Sequence, residues 1–270
     1  MASLTSHAHK AADNPWLERL ARAGLVGYGV LHVLFAWLIL RIAFGTAPAD
    51  GDQSGALHHL ATKPYGAALI VLLVVGLTAM VIWQVFEAAI GHRGERGRHR
   101  VYERVASAGR AAFYTYLAWT GIKVLRGKNK STADLQEQAS QDLMVSGGGR
   151  LAVAAIGVVV AAIGVGLAIY GLTKKFEKHL RTSRMTTQVR QVVRRLGEVG
   201  YSAKGGAYAI AGVLLVAAAV TYDPDKARGL DAALRAMAAQ PYGTWLLVVT
   251  ALGIAAYGVF SVVQARYRKV

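Results

Sequence analysis

The chain has 270 residues, of which 54% are hydrophobic and only 17% are charged, and it contains 30 glycines. This composition is too apolar for an ordinary soluble domain and too rich in glycine for a simple core, so it indicates a membrane protein. Because the sequence has no cysteine, it excludes a disulfide framework, a thiol nucleophile and a thiolate metal site.

The formal net charge is +16, and its distribution along the chain indicates topology rather than nucleic-acid binding. Lys and Arg number 19 in the N-terminal tail, the second and fourth loops and the C-terminal tail, against 8 in the other three loops. Acidic residues number 6 and 8 in the same two sets. The positive-inside rule therefore places both termini in the cytoplasm, and we expect no nucleic-acid partner.

Six apolar segments are long enough to cross a membrane, since a spanning helix needs about 20 mostly apolar residues. They cover residues 24–44, 67–90, 105–125, 151–172, 200–221 and 244–263. The third segment is the least apolar because it carries Arg110 and Lys123 near its ends. Arg41 and Lys123 lie near the outer ends of their spans, where we expect them to reach the interface as anchors.

The six segments form three copies of one hairpin. "ERLARAG" at 18–24 and "ERVASAG" at 103–109 agree at five of seven positions, and "RRLGEVG" at 194–200 is a looser third copy. We therefore divide the chain into a disordered tail at 1–15 and hairpins at 16–92, 101–180 and 194–268. Since each copy holds two spans, all three enter the membrane from the same side. The predicted fold is an all-α membrane bundle of six helices, with three tandem parallel hairpins and pseudo-threefold symmetry about the membrane normal.

A helix-start motif recurs in the first and third copies at a constant offset of 177 residues. It comprises Pro64, Tyr65 and Gly66 and again Pro241, Tyr242 and Gly243. Proline suits the first helical turn, tyrosine suits the lipid–water boundary, and glycine lets a neighbouring backbone approach closely. The apolar residues before each motif have helical spacing and predict a short amphipathic helix on the outer membrane surface. In the second copy the motif is replaced by "SGGG" at 146–149.

Three stretches of the third copy carry a family resemblance: "GYSAKGGAY" at 200–208, "LDAALRAMAAQPYG" at 230–243 and "ALGIAAYG" at 251–258. They are similar to the repeat of the membrane family called domain of unknown function 1206. The resemblance extends over residues 16–268, close in the third copy, fair in the first and poor in the outer loop of the second. It implies a six-span protein of the bacterial inner membrane, and it brings no established activity and no assigned functional residues.

A polar side chain recurs near the inner end of each even-numbered span. Eleven residues after a glycine of those spans stand Glu87, Glu177 and Gln264. Arg110 and Lys204 lie early in the third and fifth spans, at a similar predicted depth. Two interpretations stay open: inter-helix ion pairs that hold the hairpins in register, with Glu87 to Arg110 foremost, and a vestibule that handles cations or protons.

Three histidines are further candidates. His32 is the only ionisable side chain predicted near mid-membrane, where it could titrate, bind a metal or donate a hydrogen bond to a neighbouring helix. His58 and His59 are adjacent on the outer side. Neighbours on a helix point about 100° apart, so both cannot easily bind one ion, and we predict no metal site.

The sequence contains no HExxH, P-loop, GxSxG or Rossmann motif, which weakens an enzymatic function, and we expect no cofactor. Two functions are favoured over an intramembrane enzyme. The first is a bundle that binds or passes a small solute, ion or lipid. The second is a membrane scaffold whose basic loop at 173–199, with eight Lys and Arg, holds anionic lipid or a partner protein. Nothing in the sequence indicates the oligomeric state.

Overall fold

The computed structural model describes residues 15–46, 50–90, 97–127, 131–146 and 148–268. These residues form nine α-helices: α1 (Pro15–Ala43), α2 (Gln53–Ala61), α3 (Gly66–Ile90), α4 (Gly97–Leu125), α5 (Thr132–Val145), α6 (Gly149–Leu172), α7 (Thr187–Thr221), α8 (Leu230–Ala238) and α9 (Gly243–Tyr267). Short 3₁₀ turns at Lys175–His179, Thr182–Arg184 and Pro224–Ala227 complete the described secondary structure. The predicted disordered tail lies outside the described residues, apart from Pro15.

Five of the helices are long and apolar enough to cross a membrane, namely α1 from Arg22, α3, α6, α7 and α9. The chain is therefore a membrane-embedded, all-helical protein, as its composition predicted. A helix also forms at the predicted third span, residues 105–125, because α4 contains it. This helix is not among the five, since it mixes polar and charged residues with its apolar ones. The sixth span stays a prediction.

The long helices are arranged in the order α4, α3, α1, α9, α7, α6, in which each packs against its neighbours. The first and third hairpins each pack their own two helices together, α1 with α3 and α7 with α9. In the second hairpin, α4 and α6 do not pack together in this way. Instead, α4 packs on α3 of the first hairpin, and α6 packs on α7 of the third. The short helices α2, α5 and α8 lie together at one end of the bundle, which we call the short-helix end; the opposite end, with residues 173–186, is the basic end.

Glycines bring the long helices into backbone contact. Gly29 of α1 faces Gly258 of α9, and Gly164 of α6 faces Gly205 of α7. A Cβ atom built on any of these four would come within 2.5–2.7 Å of the partner's carbonyl oxygen. Lipid offers no hydrophobic drive between helices, so close van der Waals packing at small residues takes its place.

A glycine also begins the second span of every hairpin. Gly66, Gly149 and Gly243 are the first residues of α3, α6 and α9. A Cβ atom on each would overlap a carbonyl oxygen at the end of the preceding short helix. This overlap explains the glycine of the helix-start motif in the first and third copies. The tyrosines of the motif, Tyr65 and Tyr242, lie exposed just before the helix. The second copy keeps the glycine although it has lost the proline and tyrosine.

Replacing these glycines by alanine should destabilise the protein in all three copies. We expect Gly66→Ala, Gly149→Ala and Gly243→Ala each to cost about 1–3 kcal/mol, as overpacking does. Thermal unfolding in one detergent measures the effect. Gly166→Ala on α6 is the control: a Cβ there meets nothing within 4 Å, so alanine should be neutral or slightly stabilising. Equal melting temperatures for Gly149→Ala and Gly166→Ala would contradict the explanation.

The sixth span can be tested directly because the natural chain has no cysteine. If α4 crosses the membrane, a cysteine at Val101 should be labelled by an impermeant reagent from the opposite side to one at Val145. All the relevant side chains are exposed: Val101 is 62%, Val145 73% and Tyr222 51% accessible. A cysteine at Tyr222 should be labelled from the same side as a cysteine at Val145. Labelling of Val101 and Tyr222 from one side would refute three parallel hairpins.

Candidate functional site

The core of the bundle contains a buried lysine. Lys204 of α7 is 7% exposed, and its Nζ atom points toward α1. Nζ lies 2.6 Å from the hydroxyl oxygen of Tyr28 and 3.3 Å from Nε2 of His32. Both partners are buried as well, at 3% and 1% exposure. Three polar side chains thus meet inside an apolar helix bundle, where each needs a hydrogen-bond partner.

The backbone of α1 determines the role of His32. Its Nδ1 lies 2.9 Å from the carbonyl oxygen of Tyr28, one turn earlier. A carbonyl oxygen only accepts, so Nδ1 carries the proton, and Nε2 of the neutral ring accepts from the Lys204 ammonium group. His32 therefore acts as a fixed acceptor for Lys204.

Aromatic rings surround the ammonium group. Nζ of Lys204 lies 4.2 Å from the ring centre of Tyr257, 5.0 Å from that of Tyr28 and 6.0 Å from that of Tyr208. The negative ring faces attract a cation, most strongly when it is removed from water. These contacts explain how a lysine is tolerated in the core. Among the described residues, no carboxylate contacts Lys204.

A small cavity adjoins the lysine on the side of the short helices. Its volume is about 10 Å³, enough for a single water-sized occupant. Its lining consists of His32, Phe35, Gln53, Lys204, Ala207, Tyr208, Leu230 and Ile254. An ammonium group has three N–H donors. Tyr28 and His32 accept two of them, and Lys204 is one of the residues that line the cavity.

A column of tyrosines connects the lysine to the basic end. Ring centres lie 5.1 Å apart between Tyr257 and Tyr201 and 5.0 Å apart between Tyr201 and Tyr170. The hydroxyl of Tyr170 lies 3.1 Å from Nδ1 of His179, in the turn that follows α6. Burial, together with the charges of Lys178 and Arg268, lowers the pKa of His179 to about 4, so its ring is neutral at physiological pH. Packed rings therefore fill the bundle between Lys204 and the basic end.

At the short-helix end, one arginine joins all three hairpins. Arg228, just before α8, contacts carboxylates from each of them: Asp50, Asp134, Glu137 and Asp231. Asp50 belongs to the first hairpin, Asp134 and Glu137 to the second and Asp231 to the third. The planar guanidinium group, with its five donors, suits such a multiple contact. Only 19% of the Arg228 side chain is exposed, so these contacts are partly shielded from water.

Backbone groups add further links between the hairpins at this end. Asp231 of the third hairpin accepts from the N–H of Gly51 in the first at 2.7 Å. Asp52 of the first hairpin accepts from the N–H of Ala133 in the second at 3.0 Å. Asp52 also caps α2 through the N–H of Gly55. Asp52 thus caps a short helix and also joins the first hairpin to the second, whereas Asp231 joins the third hairpin to the first.

The two carboxylates differ in their protonation energetics. Burial alone would raise the pKa of Asp231, but hydrogen bonds from Arg235, the N–H of Gly51 and Arg228 lower it below the usual range. Burial raises the pKa of Asp52, and its hydrogen bonds with Ser54 and Gly55 only partly oppose that effect. Asp231 is consequently the carboxylate that stabilises the fold as an anion.

The structure regroups the residues singled out from the sequence. Lys204 was placed with Arg110 near the inner mouth, whereas its contacts are with His32, so His32 is not alone at its depth. The predicted depths of Lys204 and His32 were counted along each helix separately. Such a count does not include the angle at which two helices cross, so it did not predict this contact. Arg110 donates to Gln84 at 3.1 Å and to Ser107 at 2.8 Å. Its pairing with Glu87, which is part-buried on α3, stays a prediction.

The other members of the predicted polar ring have separate surroundings. Glu177 lies in the turn beyond α6 and pairs with Arg190 at 3.3 Å and Arg194 at 3.1 Å. Gln264 is buried on α9 at 8% exposure. A ring formed by Glu87, Glu177 and Gln264 remains a prediction.

The outer histidines have contacts of their own. Nδ1 of His58 lies 2.9 Å from the carbonyl oxygen of Ser54. The ring of His59 lies 3.3 Å from the guanidinium group of Arg41, whose charge, after burial, helps to lower the His59 pKa. Within the described parts of the chain, no three His, Asp or Glu side chains are grouped to hold a metal ion.

The carboxylates and the arginine of the short-helix end were not predicted as a cluster, because charges in these loops indicate only topology when the sequence is considered alone. One signal was available: Asp52 and Ser131 each precede a short helix and match N-cap patterns, and Ser131 forms a capping box with Asp134. No pattern in the sequence marked Arg228 or Tyr28.

Comparisons with known proteins agree with the hairpin repeat. The family described as Domain of Unknown Function (DUF1206) matches three segments, residues 23–91, 105–174 and 199–268. An uncharacterized protein of Bacillus subtilis (strain 168), YxxB, is 31% identical over 261 residues, which are 96% of this chain and 94% of that protein. No solved structure matches the chain.

Asp231 should make stability depend on pH. Its folded-state pKa is lowered, so its contribution is present above the unfolded value of about 3.9 and lost as pH falls below it. We expect Asp231→Asn to cost about 1–3 kcal/mol at pH 7 and to reduce the loss of stability between pH 6 and pH 3. Thermal unfolding across that range measures both effects.

Asp223→Asn is the matched control for Asp231→Asn. Asp223 is a half-exposed carboxylate that pairs with Lys226 at 3.2 Å, so its replacement should change stability by less than about 1 kcal/mol. If Asp223→Asn and Asp231→Asn gave the same pH profile, the links between hairpins would not depend on the Asp231 anion.

Proposed function

The chain belongs to the DUF1206 family, and from the geometry of its core we propose that it binds a small anion between its membrane helices, on the ammonium group of Lys204. The observation that carries this proposal is the buried Lys204 with neutral partners and an adjoining cavity. The first function derived from the sequence was a bundle that binds or passes a small solute, ion or lipid, and this proposal specifies the ligand as a small anion.

The charge balance of the site supports an anion. Burying an ammonium group without a counter-charge is costly, and the rings of Tyr28 and Tyr257 offset only part of that cost. A monovalent anion in the cavity would accept a hydrogen bond from the third N–H of Lys204 and neutralise the charge of its ammonium group. The cavity volume limits the occupant to an ion of about the size of a water molecule or slightly larger.

The path to the site leads from the short-helix end. Gln53 begins α2 and Leu230 begins α8, and both line the cavity. Toward the basic end, the tyrosine column fills the bundle. Entry from the short-helix side would therefore pass between the starts of α2 and α8. With the termini in the cytoplasm, as the charge distribution predicts, this side faces away from the cytoplasm.

We further propose that the three hairpins follow one another in a pseudo-threefold order, in which only the second hairpin lacks packing between its own two long helices. The second helix of each hairpin packs on the first helix of the next: α3 on α4, α6 on α7 and α9 on α1. A threefold arrangement requires these three contacts. The contacts of Arg228 with carboxylates of all three hairpins support the same cyclic order.

The alternative function, a scaffold that uses the whole basic loop at 173–199, has weaker support. Arg190 and Arg194 pair with Glu177, and Arg195 pairs with Glu198 at 3.5 Å. Acidic side chains of the protein itself therefore neutralise part of the charge that a partner would need.

Replacing Lys204 by methionine tests the anion site, because methionine keeps the length and removes the charge. In purified protein, fluoride and chloride are titrated separately and the melting temperature is recorded, since a ligand of the folded state raises it. We expect at least one of them to stabilise the natural protein. Lys204→Met should bind it at least tenfold more weakly, because a hydrogen bond to a charged group contributes about 1.5–3 kcal/mol.

Lys63→Met is the control, since Lys63 is exposed at the short-helix end and carries the same charge. It should leave the response to anions unchanged. The proposal is wrong if none of the anions stabilises the natural protein, or if both variants lose the response equally.

A further inference from the structure

Three arginines converge at the basic end of the bundle. Arg22 of α1, Arg184 of the Thr182–Arg184 turn and Arg266 of α9 line an open groove together with Tyr267. The groove has a volume of about 540 Å³. Residues far apart in the sequence thus form one positively charged concave surface, and no acidic side chain is among its described lining residues.

The groove lies at a membrane boundary. Arg22 is the first residue of the apolar segment Arg22–Ala43, and Tyr267 is the last residue of the segment Gly243–Tyr267. Arginine and tyrosine at the ends of spanning helices lie at the level of the lipid headgroups. A ligand in the groove would therefore be in contact with the bilayer surface.

The surrounding backbone holds the arginines together. The N–H of Arg181 donates to the carbonyl oxygen of Tyr267 at 2.7 Å, and Leu180 forms a β-bridge with Arg268. The side chains of Phe176 and Leu180 are buried against α7 and α9, at 0% and 1% exposure. The turn that carries Arg184 is consequently fixed to the end of α9, and the groove exists before a ligand binds.

The charge of the groove differs from that of the rest of the basic loop. Arg190, Arg194 and Arg195 pair with glutamates of the protein. In contrast, no carboxylate among the described residues contacts Arg184 or Arg266, and the Arg266 guanidinium lies 5.8 Å from the ring centre of Tyr267. The groove is the part of the basic end where positive charge faces an open volume.

We propose that this groove binds the phosphate of an anionic phospholipid headgroup. Guanidinium groups recognise phosphate oxygens through paired, charge-assisted hydrogen bonds. The volume lies within the range of about 300–1,000 Å³ that small-molecule sites occupy and exceeds what inorganic phosphate needs. The position at the membrane boundary supplies such headgroups, and the site is separate from the anion site at Lys204.

The test compares two triple variants with the same change in charge. In the groove variant, Arg22, Arg184 and Arg266 become Gln; in the control variant, Arg190, Arg194 and Arg195 become Gln. Each full-length protein is placed in nanodiscs of phosphatidylcholine with increasing phosphatidylglycerol, and bound phosphatidylglycerol is measured by native mass spectrometry. We expect retention by the groove variant to fall on the order of tenfold to a hundredfold, since each basic residue near an anionic surface contributes measurably. The control variant should retain most of its lipid.

Two outcomes would overturn the proposal. An equal loss in both triple variants would mean that attraction to the whole basic end, and not the groove, holds the lipid. Inorganic phosphate that raises the melting temperature of the detergent-purified protein as much as phosphatidylglycerol does would assign the groove to a free phosphate.

A single variant keeps the test valid if the groove variant fails to fold. Arg184 is exposed on a turn, so Arg184→Gln should fold normally and still lose several-fold in lipid retention. Circular dichroism and size-exclusion chromatography establish folding. A correctly folded Arg184→Gln protein with unchanged retention would contradict the proposal.

Discussion

The polar links at the short-helix end are the constraint on which the rest of the structure depends. Lipid around the long helices is as apolar as the helices themselves, so burial of apolar surface does not press the hairpins together. Arg228 and Asp231 supply specific contacts between hairpins at one end. Glycine contacts such as Gly29 with Gly258 and Gly164 with Gly205 continue the packing along the helices. Association therefore rests on geometry and hydrogen bonds.

The surroundings of Lys204 follow from that constraint. Gln53 and Leu230, at the starts of α2 and α8, line the cavity, and the link between Asp231 and Gly51 holds these two helix starts close together. A shift of one hairpin against another would change the cavity and the contact of Lys204 with His32. The same polar contacts that assemble the hairpins thus also shape the space beside the buried ammonium group.

The cations of the protein fall into two physical classes. Arg190, Arg194, Arg195 and Arg228 have carboxylate partners within the chain, which fixes their geometry and reduces the charge available to a ligand. Lys204 has neutral partners, and Arg184 and Arg266 of the groove face an open volume. A high net charge alone therefore does not identify a binding surface. The distribution of partners separates structural cations from candidate ligand sites.

The sequence by itself determined the membrane class, the positions of the long helices and the glycine at the start of the second span in the first and third hairpins, because hydropathy and local spacing are properties of neighbouring residues. The tertiary structure decided that Lys204 contacts Tyr28 and His32, which lie 176 and 172 positions away. It also decided that Arg228 joins three hairpins. These contacts depend on the rotation and crossing of separate helices, and lipid-embedded helices carry no strong amphipathic pattern from which rotation can be read.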